Sequence, residues 1–218
     1  MLNKIIIGAL LGGVALIAIQ PAMAADVVAP APAPSLANTL SIELSPEFAT
    51  TDSSNVDNYV KLGLSHSFSN NFVLGGTFAY TQRTDAASTS YEQFETSLGY
   101  KIKSGAFTLT PAVLVGVGVG TPKINAAVAT ESDAYYAVSL AGDMKLNDSL
   151  TWNVFNARYR NAFSTTWITP KIATGFTYKI DAADSVYISA GYAWKDKGLG
   201  AGLLGDKWNI AVGYKYSF

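Results

Sequence analysis

From Leu40 onward, apolar and polar residues take turns along the chain, and the period stays at two until the last residue. The final segment shows it best. Trp208, Ile210, Val212, Tyr214, Tyr216 and Phe218 share one face, while Lys207, Asn209, Ala211, Gly213, Lys215 and Ser217 share the other. Side chains alternate across a strand, so this period predicts strands with one apolar face and one small or polar face. The segments 186–195, 168–179 and 107–118 follow the same rule. Further candidates lie at 39–49, 58–68, 72–83, 91–102, 133–146 and 149–161, giving about ten strands, or eight if two weak segments are mispaired. The stretch Leu150–Arg160 breaks phase: Trp152 and Val154 share one face, then Phe155, Ala157 and Tyr159 share the other. A β-bulge near Val154–Phe155 restores order by inserting one residue, with a local misassignment as the alternative.

The connections alternate in length. Ser69-Asn70-Asn71, Lys103-Ser104-Gly105, Asn147-Asp148 and Asp181-Ala182-Ala183-Asp184 read as tight hairpin turns. Longer links fall near 50–57, 84–90, 120–132, 162–166 and 196–206. Short turns at one end and longer loops at the other are the habit of outer-membrane barrels, which keep the short turns in the periplasm.

The apolar face carries many Tyr and Trp residues, whose polar atoms need partners if buried. A soluble sandwich is therefore the poorer alternative. Phe68, Phe72, Tyr100, Phe107, Tyr178, Tyr187, Tyr216 and Phe218 fall near the short-turn side. Phe48, Tyr59, Tyr80, Tyr91, Tyr136, Trp167, Trp194 and Trp208 fall near the long-loop side. Two aromatic girdles match two membrane interfaces. Twelve residues at a rise of ~3.3 Å, tilted by ~40°, span roughly 30 Å, enough for an apolar band of ~25 Å. In lipid every backbone N–H must pair, so the sheet has to close. The predicted fold for 38–218 is an all-β, antiparallel, up-and-down transmembrane β-barrel.

The start of the chain fits export. Lys4 precedes the uncharged run Ile5–Ile19, and Ala22-Met23-Ala24 offers the small-residue pattern of a cleavage site before Ala25. The run is shorter than the ~20 residues of a spanning helix, which disfavours an uncleaved anchor. Residues 1–24 are read as a signal peptide and 25–37, ADVVAPAPAPSLA, as an Ala/Pro-rich periplasmic tether held extended by its prolines. The chain has no cysteine, which excludes disulfides and thiolate metal sites. Charged residues make up 14%, against about a quarter of an ordinary soluble domain. Without Lys4, 14 basic residues face 16 acidic ones, which speaks against nucleic-acid binding.

The terminal GYKYSF places Tyr214, Tyr216 and Phe218 in the pattern of the assembly signal of Gram-negative outer-membrane proteins. With the export signal and the repeated strands, the chain resembles small outer-membrane β-barrel and porin-like proteins of proteobacteria over essentially all of 25–218. The resemblance implies an outer-membrane location, lipid contact and handling by the barrel-assembly machinery. The W-T-G-x-Y-x-G type of first strand found in some of those families is absent, and the equivalent stretch reads NTLSIELSPEFA.

No catalytic, cofactor or metal site stands out. The single histidine, His66, is in phase with Val60, Leu62, Leu64 and Phe68, on the lipid face and near the short-turn girdle. That is the wrong place for a general base beside a hydroxyl nucleophile. GAGLLG at 200–205 imitates a dinucleotide fingerprint but leads into an alternating strand, not a helix. Asp52, Asp57, Asp85 and Asp133 read as scattered, solvated loop charges. The interior face is more informative. Glu43, Glu47, Lys61, Arg83, Glu95, Lys101, Asp143, Lys145, Arg158, Arg160, Lys171, Lys179, Lys195, Lys207 and Lys215 sit there among Gly, Ala, Ser and Thr. Such a lining forms either a salt-bridge plug or a narrow wet pathway with a weak anion preference. The expected function is a structural or porin-like barrel. A surface adhesin working through its loops is the alternative; loops of at most 13 residues without aromatic clusters favour the former.

Overall fold

The computed structural model describes residues 37–84, 90–120, 131–163, 169–194 and 206–218. The leader 1–24, nearly all of the tether, Asp85, Trp167, Lys195 and the 200–205 glycine run lie outside these. The described chain is all strand and turn: β1 (Asn38–Ala49), β2 (Asn55–Ser67), β3 (Phe72–Arg83), β4 (Ser90–Tyr100), β5 (Ile102–Ser104), β6 (Phe107–Gly120), β7 (Glu131–Lys145), β8 (Leu150–Ala162), β9 (Thr169–Lys179), β10 (Asp184–Ala193) and β11 (Lys207–Ser217).

Each strand pairs antiparallel with its neighbours in sequence, and the sheet then closes on itself. β1 pairs with β11, setting Thr39 opposite Ser217 and Phe48 opposite Trp208. β4 and β5 are two parts of one stave interrupted at Lys101, and both pair with β6. The result is a closed ten-stranded up-and-down barrel. Asn38 N–H donates to Phe218 O and Phe218 N–H to Asn38 O, both at 3.0 Å, which completes the seam.

The barrel is apolar outside and polar inside. Val113 is 60% exposed and Val115 56% exposed, and Leu40, Leu44, Ile188 and Val212 also face out. The buried hydrophobic residues are small except for Tyr135, while Glu47, Asp57, Arg160 and Thr169 are buried polar groups. A water-soluble domain hides its large aliphatics and keeps charge outside. This distribution is the reverse, as a lipid-facing barrel requires. Stacked, tilted or edge-on aromatic pairs mark both rims: Phe48–Trp208, Tyr136–Phe163 and Tyr192–Trp194 at the long-loop end, Phe72–Tyr100 and Tyr216–Phe218 at the other.

The short turns are built by side chains that substitute for backbone partners. Asp181 Oδ1 accepts from the N–H groups of Ala183 and Asp184, each at 2.8 Å. The bonds from Asp184 and Ala183 hold this carboxyl below its usual range. Asn147 Oδ1 accepts likewise from Ser149 and Leu150. Asn71 and Gly105 take the left-handed backbone (φ 69° and 58°) that Asn and Gly tolerate.

In β8 the pairing with β7 shifts between Gly142 and Asp143, and that with β9 between Asn153 and Asn156. The extra residue at Val154–Phe155 explains the phase break in the sequence: Trp152 and then Phe155, Ala157 and Tyr159 all face out. On the lipid side Thr174 repairs the gap, accepting from Trp152 Nε1 at 3.2 Å and donating to Asn153 O at 3.0 Å.

Two readings of the sequence need correction. Asp57 and Asp133 are not loop residues: β2 begins at Asn55 and β7 at Glu131. Asp57 is 2% exposed on the inner wall. The polar run before it looks like loop because the inner wall is itself polar. Nor do Tyr59, Tyr91 and Tyr187 join the girdles. They share the inward register of Ser45, Thr81 and Gly213 respectively.

Candidate functional site

The functional surface of a barrel is its lumen. Side-chain contacts between strands that are not neighbours pass through the lumen, and several such contacts tie this interior together.

At the long-loop end, Glu47 on β1 accepts from Lys171 on β9 and Lys207 on β11, each at 3.2 Å. Lys207 also pairs with Asp57 on β2. Lys171 Nζ lies 5.4 Å from the centroid of the Tyr59 ring on β2. This cluster spans five neighbouring staves, from β9 round to β2. Nearby, Arg160 donates to Thr169 Oγ1 at 3.1 Å and its guanidinium lies over the Tyr135 ring at 5.2 Å.

At mid-height, Arg158 on β8 pairs with Glu95 on β4, and Tyr135 on β7 donates to the same carboxylate at 3.2 Å. Glu43 on β1 pairs with Lys61 on β2 at 2.7 Å and accepts from Tyr187 on β10 at 2.6 Å. Lower down, Asn153 donates to Asp143 at 2.8 Å and accepts from Thr177 at 3.0 Å. Arg83 ends β3 in register with Asp57. The sequence-derived set thus separates: Glu43 with Lys61, Glu95 with Arg158, Lys171 with Glu47, and Asp143 apart from all three.

Glycines decide where the large inward side chains go. A Cβ on Gly213 would stand 2.3 Å from Tyr187 Cζ, and one on Gly116 would stand 2.5 Å from Tyr135 Cζ. At Gly118 the Tyr91 hydroxyl occupies the same space. Each ring therefore lies flat on a neighbouring strand and runs around the wall. The sequence pointed to neither Tyr135 nor Tyr187 as a lumenal ligand of a glutamate. Their glycine partners sit on other strands, and only the register brings them together.

His66 Nδ1 meets Asn38 Oδ1 at 2.9 Å, and its ring packs edge-on against Phe68 at 4.4 Å on the outer face. Among the described residues, no group of three or more His, Cys, Asp or Glu side chains is arranged to hold a metal ion.

No protein-family model and no curated protein matches this sequence. Solved structures do match its architecture. An outer-membrane channel from Pseudomonas putida F1 aligns with a TM-score of 0.53 at 13% identity, covering 89% of this chain and 100% of that one. The NanC porin aligns at 0.52 and 9% identity over 82% and 100% of the two chains. The β-domain of the Bordetella autotransporter BrkA aligns at 0.52 and 10% identity over 84% and 99%. At these identities the likeness is one of fold: a closed, antiparallel, up-and-down β-barrel similar to those of outer-membrane channels and porins.

Proposed function

We propose that the protein is a porin-like channel of the outer membrane, a narrow passive pathway for small solutes that slightly favours anions. It reaches the membrane by export, cleavage before Ala25, and delivery of the Tyr214–Phe218 strand end to the barrel-assembly machinery. The observation that carries the channel reading is the flattening of the inner wall. Tyr187 over Gly213, Tyr135 over Gly116 and Tyr91 over Gly118 lie against the neighbouring strands and not across the axis, which supports an open pathway. An interior near this strand count is otherwise about filled by its side chains. Lys61, Lys101, Arg158, Arg160, Lys171, Lys207 and Lys215 outnumber the inward carboxylates Glu43, Glu47, Asp57, Glu95 and Asp143, which supports the anion bias.

We place the constriction of this pathway at the long-loop end, a reading supported by Lys171 reaching toward both Glu47 and Tyr59. Single-channel recording tests this. The protein is expected to show steady conductance in planar bilayers, and Lys171→Ala to raise that conductance while weakening the preference for anions. A bilayer left sealed by correctly folded protein refutes the channel.

A further inference from the structure

The lumen is charged differently at its two ends. At the long-loop end, Glu47 and Asp57 answer Lys171 and Lys207 within ion-pair distance. At the short-turn end the inward cations are all lysines. Lys101 and Lys103 sit at the break and tail of the β4–β5 stave, and Lys145, Lys179 and Lys215 sit near the same end of β7, β9 and β11. Their register fixes the inward face: Lys103 lies opposite Thr108, Lys145 opposite Thr151, and Lys179 and Lys215 both opposite Ser185.

Four alternate staves, β4–β5, β7, β9 and β11, thus end in an inward lysine, whereas β2 ends in Ser67. Neighbouring strands stand about 4.8 Å apart, so these lysines recur at intervals of about 10 Å along the arc from β4–β5 to β11. Lys145 is paired with Asp148 at 2.7 Å. Lys101 is bonded to the Ser67 hydroxyl at 2.9 Å, and Lys215 lies over the Tyr187 ring at 4.7 Å. Among the described residues, Lys101, Lys103, Lys179 and Lys215 have no carboxylate within ion-pair distance. Beyond that distance, Asp143 acts on Lys101 and Lys215, Glu43 also acts on Lys215, and the turn carboxylates Asp148 and Asp181 act on Lys179.

We infer that the short-turn mouth is a binding vestibule for a small polyvalent oxyanion bearing several phosphate-like groups. Lysine is a compact point charge, without the forked geometry with which arginine grips one carboxylate. Point charges spread at about 10 Å favour a ligand that carries its charges apart. The orientation follows the short turns, placing the vestibule on the periplasmic side. The inference deepens the channel reading, but its binding arm does not depend on conduction.

The test uses protein purified from outer membranes in non-ionic detergent, with inorganic tripolyphosphate as the probe. Calorimetry is run at about 50 mM salt, where screening between exposed charges is modest. Tripolyphosphate should bind at least about tenfold more tightly than orthophosphate, and the Lys103→Gln/Lys179→Gln/Lys215→Gln variant should bind it at least about tenfold more weakly. The corresponding Lys→Arg triple variant, which keeps the charge, should retain binding and so separates charge loss from misfolding. In bilayers, block should come from one side only. No binding by the wild type, or unchanged binding by the glutamine variant, overturns the vestibule. If bilayers stay sealed, the channel reading falls alone, and calorimetry decides the vestibule.

Discussion

At the scale of single residues, the barrel depends on pairs whose members look unrelated in the sequence. Gly213 is the clearest case. Its missing side chain is the space in which the Tyr187 ring lies on its way to Glu43. Gly213→Ala therefore lifts the ring off the wall and strains or breaks the Tyr187–Glu43 bond, costing about 1–3 kcal/mol. Denaturant unfolding in lipid vesicles checks the stability, and a fall in conductance checks that the ring has moved toward the axis. Thr174 plays the matching role on the outer face. Its hydroxyl serves a backbone carbonyl and an indole N–H that lipid cannot satisfy. Thr174→Val keeps the shape and removes both bonds, with an expected loss of about 1–2 kcal/mol in the same unfolding measurement.

At the scale of strands and turns, much was legible. The alternation at Trp208–Phe218 located β11 almost to the residue because one of its faces meets lipid and the other water. The phase break at Val154–Phe155 was readable as a bulge for the same reason: an inserted residue swaps faces, and a wall with two unlike faces registers the swap. Asn71, Gly105, Asn147 and Asp181 announced the turns through their local chemistry. The ends of strands were harder. Ser53-Ser54-Asn55 reads as loop, yet β2 starts at Asn55 and carries Asp57 into the lumen. Where the inner wall is polar, its polar residues carry no signal that distinguishes strand from loop. Partnership within the lumen was illegible. Arg158 and Glu95 are 63 residues apart in sequence, and only the stacking order of β4, β6, β7 and β8 brings them together.

At the scale of the whole molecule, the barrel is held by closure rather than by an apolar core. Its large aliphatic residues face out, and its interior is a polar network enclosed by a ring of backbone hydrogen bonds. Phe218 sits on the seam of that ring, bonded in both directions to Asn38, with its side chain stacked on Tyr216 at 5.8 Å. Deleting Phe218 is expected to lower the amount of protein assembled in the outer membrane several-fold, read by heat-modifiable migration on gels. Wild-type levels in the deletion variant remove the terminal residue from the assembly signal. The seam also bears on how the chain is made. Thr39 and Ser217 touch across it although 178 positions separate them. That single contact is among the least local a chain of this length can form, and no strand pairing made earlier substitutes for it. Until the last strand arrives, both open edges expose a row of unpaired amide groups that attract strands from other molecules. Folding of this protein is therefore governed by its slowest long-range event, high in contact order, and the unfinished sheet needs shelter from aggregation while it waits.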